Sequence, residues 1–220
     1  MRTKVLGFGH WTIETLILWT LAILPAIVLH EFAHALVAYR LGDPTPRYEG
    51  RLTLNPLAHL DPIGALMLFL FRFGWAKPVG VNPSYFHNPR RGMMWVALAG
   101  PLANVTVAWV SNLLLGLLQA FDPLAVDPSW WGILRGIGLL LQFSVEINLW
   151  LAAFNLIPVP PLDGSRILSG LVSSRQAIAI ARMEAYGPLV LVLLIMSGVS
   201  QVLLSPVYQV LAMLIGAGRV

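Results

Sequence analysis

From Trp11 to Tyr39 the chain is apolar except for Glu14 and a cluster made by His30, Glu31 and His34. At about 1.5 Å of rise per residue, a helix of this length crosses the roughly 30 Å of hydrocarbon in a bilayer. Lipid leaves the backbone no water to bond, so such a run is confined to helices or closed barrels. The run therefore predicts a transmembrane helix, with Pro25 bending it and Arg40 marking its end. That helix carries ionisable residues in a place where they are costly and normally functional.

Composition extends the reading to the whole chain. Of 220 residues, 57% are hydrophobic and only 11% charged, against about 25% charged in soluble domains. An integral membrane protein follows, of a length suited to one domain, 1–220. The net charge of +4 comes from basic residues scattered around apolar runs, which is the mark of membrane topology and argues against a nucleic-acid partner. The absence of cysteine excludes disulfides and thiolate ligands, leaving nitrogen and oxygen donors for any metal. The first run is too long for a cleavable signal peptide.

Along the chain, Met93–Leu118 reads as a second span, interrupted by Gly100-Pro101 and carrying Asn104. Ile133–Ile157 reads as a third, with Glu146, Asn148 and Asn155 inside it, and Leu189–Ala217 as a fourth, kinked at Pro206. Residues 41–91 differ. Arg51–Leu54 alternates like a short strand and Lys77–Val81 is a second candidate, while the apolar Ile63–Phe71 is too short to cross. The expected fold is α-helical, with about four full transmembrane helices, a re-entrant or interfacial element and a small membrane-associated β-sheet. The core is 11–170, with the sheet and re-entrant region at 41–91 and an extra C-terminal span within 186–217.

Basic residues orient these spans. If Arg40 is cytoplasmic, that side also holds Arg47, Arg51, Arg72, Lys77, Arg90, Arg91, Arg166, Arg175 and Arg182, leaving Arg2, Lys4, Arg135 and Arg219 on the other. The bias predicts a multi-pass protein of the cell membrane with both termini outside. His30 and His34 would lie roughly 9–15 Å below the cytoplasmic interface, and Asp163, just past the third span, would arrive on the same side.

His30 and His34, four apart, share one helix face and can reach one ion. Glu31 beside them is placed to act as a general base. A catalytic metal site needs a third ligand, and Asp163 is the best candidate, because it sits where a span unwinds at Pro158–Pro161 and precedes Gly164. Two plainer roles stand beside these: the histidines as hydrogen-bonded core residues, and Asp163 as the cap of a helix starting near Ser165. Asn104 and Asn148 fit interhelical hydrogen bonding. His59, Asp61 and His87 fit turn contacts better than a second metal site, and Arg90-Arg91 fits anionic headgroups. Glu146 has no evident partner.

Taken together, His30-Glu31-Phe32-Ala33-His34, then Ala99-Gly100-Pro101-Leu102-Ala103-Asn104, then Asn155-Leu156-Ile157-Pro158-Val159-Pro160-Pro161-Leu162-Asp163-Gly164 resemble the site-2 protease family of intramembrane zinc metalloproteases. The resemblance covers roughly residues 20–170. It implies that His30, His34 and Asp163 bind Zn2+ and that Glu31 is the base. It implies that Asn155, with Asn104 as a second candidate, aids substrate or oxyanion binding. It also implies that the region 47–85 lies beside an extended substrate, a membrane protein with a single transmembrane segment. The chain has no room for the PDZ or CBS domains of larger relatives. A metal-ion transporter and a catalytically inactive membrane-protein binder are the alternatives; Glu31 argues against the first, and the second should lack stoichiometric metal.

Overall fold

The computed structural model describes residues 12–71, 74–120, 127–196 and 199–217. The polar lead with Arg2, Lys4 and His10 lies outside them, as do Arg72, Asp122 and Arg219. Three long helices form the body. Helix α1 (Ile13–Arg40) opens on Thr12, whose hydroxyl accepts from the Thr15 amide. After the short turns α2 (Thr45–Tyr48) and α3 (Pro56–His59) and the ten-residue α4 (Pro62–Phe71) comes α5 (Pro89–Gln119). Its N-terminus carries both a proline at the first position, where no amide bond is lost, and Asn88, whose side chain accepts from Arg91 N. Helix α6 (Trp131–Asn155) follows, then the short α7 (Asp163–Leu171) and α8 (Ser174–Met183), and finally α9 (Gly187–Met196) and α10 (Val199–Leu214). Pro25 and Pro101 sit inside α1 and α5 without ending them.

Helix α5 packs against α1, α6 and α7, and α1 also packs against α6. The buried surfaces are made largely of small residues: Ala22, Ala26, Ala35 and Ala38 on α1, Ala97, Ala99, Gly100 and Ala108 on α5, and Ala152 and Ala153 on α6. Lipid gives no hydrophobic drive to helix association, so close backbone approach and interhelical hydrogen bonds take its place. Such bonds are present: Asn104 Nδ2 donates to Asn148 Oδ1 at 2.8 Å, and the Ser111 and Ser144 hydroxyls meet at 2.8 Å. Large apolar side chains such as Ile17, Leu21, Trp109, Leu113 and Leu117 are exposed, as lipid-facing residues should be.

Two expectations are corrected. Among the described residues three helices, not four, are long and apolar enough to cross a membrane: Ile13–Arg40, Pro89–Gln119 and Pro128–Asn155. The described parts of the expected span at 189–217 are α9 and α10, of 10 and 16 residues, on either side of residues 197–198, which lie outside the description. The second correction concerns the sheet. No strand forms among the described residues, and the only pairing between the two candidate segments' neighbourhoods is an isolated antiparallel bridge of Leu60 with Ala76.

The reason lies in Arg51. Its guanidinium is buried and donates to the carbonyls of Ala58 (2.5 Å), Lys77 (3.1 Å) and Pro78 (3.0 Å), acceptors that a ladder would have matched with backbone amides. Buried Asp43 ties the same region together, accepting from Thr45 N at 2.9 Å and Asn82 N at 2.7 Å. The 41–82 segment is thus a loop assembly cross-linked by side chains. Replacing Arg51 with Ala would leave these carbonyls without donors, and should destabilise the segment by about 2–3 kcal/mol. Arg51→Lys, which lacks the fork, should recover only part of that. Limited proteolysis in micelles, read at 50–80, checks both.

Candidate metal centre

Each member of the candidate triad is delivered by different local chemistry. His30 and His34 lie one turn apart on the last third of α1, where that helix passes α5. Asp163 comes from α7, which starts after the chain leaves α6 at Asn155 and turns through 156–162. Ile157 O accepts from Val159 N and Val159 O from Leu162 N, so the proline-rich turn satisfies part of its own backbone. Gly164 is required there: a Cβ would strike the carbonyl oxygens of Ile157 and Leu156. At the far end of α7, Arg90 of α5 donates to Ser169 O (2.6 Å) and Gly170 O (3.4 Å). The guanidinium expected among headgroups instead caps the helix that presents Asp163.

The three side chains converge. His30 Nε2 is 3.2 Å and His34 Nε2 3.3 Å from Asp163 Oδ2, and the two Nε2 atoms are 3.0 Å apart. All three residues are buried. His34 Nδ1 lies 2.7 Å from the carbonyl of Val96, which can only accept, so that nitrogen holds the ring's proton and Nε2 presents a lone pair. His30 Nδ1 lies 2.6 Å from Asn104 Oδ1. Asp163 Oδ2 is buried with no hydrogen-bond donor. Facing lone pairs in an apolar interior call for a cation. Tetrahedral ligation at about 2.0–2.1 Å sets ligand atoms about 3.3 Å apart, so these separations fit a zinc ion.

Gly100 makes the room. A Cβ at that position would fall 2.5 Å from His34 Nε2 and 2.6 Å from His30 Cε1, so a backbone without a side chain forms one wall of the site. In the sequence Gly100 stands out as part of an interruption of the span and of the motif that carries the family resemblance, with no role assigned to its missing side chain. The available signal was the four-residue spacing of Val96, Gly100 and Asn104 on α5, which matches that of Ala26, His30 and His34 on α1.

The remaining candidates are placed as follows. Glu31 is half-buried on α1, and among the described residues no partner holds its carboxylate. Asn104 is fully buried, engaged with His30, Asn148 and the Ala26 carbonyl. Asn155 ends α6, half-buried, its Nδ2 donating to Leu151 O at 3.0 Å. Asp163 is not a side-chain cap, since Leu162 holds the cap position of α7. His59 is buried with Nε2 on Thr53 O, Asp61 accepts from Gly64 N, and His87 is exposed; among the described residues no second metal-ligand group forms.

Comparison with known proteins bears on this geometry. The profile of peptidase family M50 matches residues 132–198. The chain is 35% identical over 201 residues to the Bacillus subtilis protein named "Putative zinc metalloprotease YwhC", covering 90% of this chain and 89% of that one. It is 34% identical over 179 residues to Rip2 of Mycolicibacterium smegmatis, which bears the same zinc metalloprotease description. That match covers 79% of this chain and 64% of Rip2. No solved structure matches. Identity at this level along most of both YwhC and this chain makes the relationship one of descent: the chain belongs to peptidase family M50, the site-2 protease family, and is a zinc metalloprotease of the membrane.

Proposed function

We propose that this protease cleaves peptide bonds within or near the single transmembrane segment of membrane-protein substrates, with His30, His34 and Asp163 as its zinc ligands. The observation that carries the reading is the buried, donorless Oδ2 of Asp163 aimed at two imidazole nitrogens. Bound zinc would supply Lewis acidity, acidifying a water molecule and polarising the scissile carbonyl. Glu31 takes the proton of the attacking water and passes it to the leaving amine as the C–N bond breaks. It lies one residue from His30 and three from His34, and residues three apart are neighbours on a helix surface. Asn155 spends one amide hydrogen on Leu151 O and keeps the other for a substrate carbonyl or developing oxyanion.

An apolar groove of about 400 Å³ runs along the turns of α1 that precede His30, lined by Leu21, Leu24, Pro25, Val28 and Leu29 and, from the loop region, by Leu54 and Pro56. It suits an extended apolar segment. Substrate must be unwound there, because the peptide groups of an intact helix are bonded internally. The excess of arginine and lysine between α1 and α5 and after α6 supports a site near the cytoplasmic face of the cell membrane. A transporter has no use for a base beside a ligand, and the family relationship favours proteolysis over both alternatives.

Glu31→Gln should keep zinc at one per chain and lower cleavage of a membrane-segment peptide by about 10²–10⁴-fold; cleavage at the parent rate would reject the base. Gly100→Ala removes no ligand yet places a methyl group against both rings. It should abolish zinc binding while leaving the helical circular dichroism intact, as metal analysis of the purified protein will tell.

A further inference from the structure

We infer that Asn104 is a positioning residue: it fixes His30 in the tautomer that turns the Nε2 lone pair toward Asp163 and His34. This rests on the reading of His30 as a zinc ligand and goes beyond it, by identifying what sets that ligand's proton.

Two backbone carbonyls, which can only accept, orient the amides that lead to His30. Asn148 Nδ2 lies 2.8 Å from Ser144 O, so the amino end of that amide faces Ser144 and its Oδ1 faces α5. That Oδ1 lies 2.8 Å from Asn104 Nδ2, and the Ala26 carbonyl lies 3.1 Å from the same nitrogen. Both amide hydrogens of Asn104 are therefore spent, one toward α6 and one toward α1. Its Oδ1 is left for His30 Nδ1, at 2.6 Å. An amide oxygen cannot donate, so Nδ1 carries the proton, and a neutral imidazole with its proton on Nδ1 has a bare Nε2.

Neither amide can be turned over. Reversing Asn104 would set its oxygen against the Ala26 carbonyl and Asn148 Oδ1, and reversing Asn148 would set oxygen against Ser144 O. Both residues are fully buried, so water cannot relieve such a clash. A helix position whose plain role would be interhelical bonding thus transmits a direction: carbonyl of α6, amide of α6, amide of α5, imidazole of α1. Outer partners of this kind orient metal-bound histidines and fix their tautomer.

The test uses the full chain in micelles, labelled with 15N-histidine, metal-free and alkaline enough to keep the imidazoles neutral. His30→Ala identifies the His30 resonances. The expected spectrum shows His30 protonated at Nδ1; protonation at Nε2 in the unmutated chain overturns the inference, with no variant needed. Zinc affinity, measured by chelator competition, should fall by about 10–100-fold in Asn104→Leu, with tautomers of His30 mixed. Asn104→Asp restores an acceptor for Nδ1–H while lacking the donors to Ala26 and Asn148, and should recover the tautomer and most of the affinity. If Asn104 served only as a tie between helices, both variants would lose the same bonds, and Asp would rescue nothing; that result, or unchanged affinity in a folded Asn104→Leu, overturns the inference. Should His30→Ala bind zinc as tightly as the parent, the ligand assignment itself fails, whatever tautomer the spectrum shows.

Discussion

Two imidazole Nε2 atoms and a carboxylate oxygen lie within 3.0–3.3 Å of one another; with neutral rings protonated at Nδ1 they repel unless something positive lies among them, and a low-dielectric interior enlarges that repulsion. Among the described residues this cost is met at one place, and the neighbouring architecture is arranged so that the three atoms cannot move apart cheaply. The α1 backbone fixes the histidines one turn from each other. A turn rich in proline and a glycine with no room for a side chain fix where Asp163 begins α7. Burial in apolar spans keeps bulk water from dispersing the charge.

What could be read from the sequence divides along the same line. The converging cluster was legible because each member is an expensive residue in an apolar context: His30 and His34 share a helix face by spacing alone, and Asp163 stands beside a forced break. The long spans were legible from their apolar runs. That Arg51–Leu54 and Lys77–Val81 stay out of a ladder was not, because alternation at Arg51–Leu54 says which side chains share a face without saying where the backbone amides bond. A buried arginine with three carbonyls around it satisfies the same acceptors without a ladder.

The hardest part to see in advance was the contribution of α5, which supplies none of the three converging atoms and yet holds both imidazole rings. Its Val96 carbonyl accepts from His34 Nδ1, its Asn104 Oδ1 accepts from His30 Nδ1, and its Gly100 leaves the space in which the two rings meet. Val96, Gly100 and Asn104 are spaced by four, so they form one stripe on the helix, facing the α1 stripe of Ala26, His30, His34 and Ala38. From its first turn Arg90 reaches the other end of α7. The centre is therefore better described as a property of the α1–α5 contact than of the histidine motif. A His-Glu-x-x-His helix without that facing stripe would carry two imidazoles free to choose either tautomer and no cavity to share. With it, the protons are sent away from the site and the lone pairs into it before any ion arrives, so less of the binding free energy is lost in arranging the ligands.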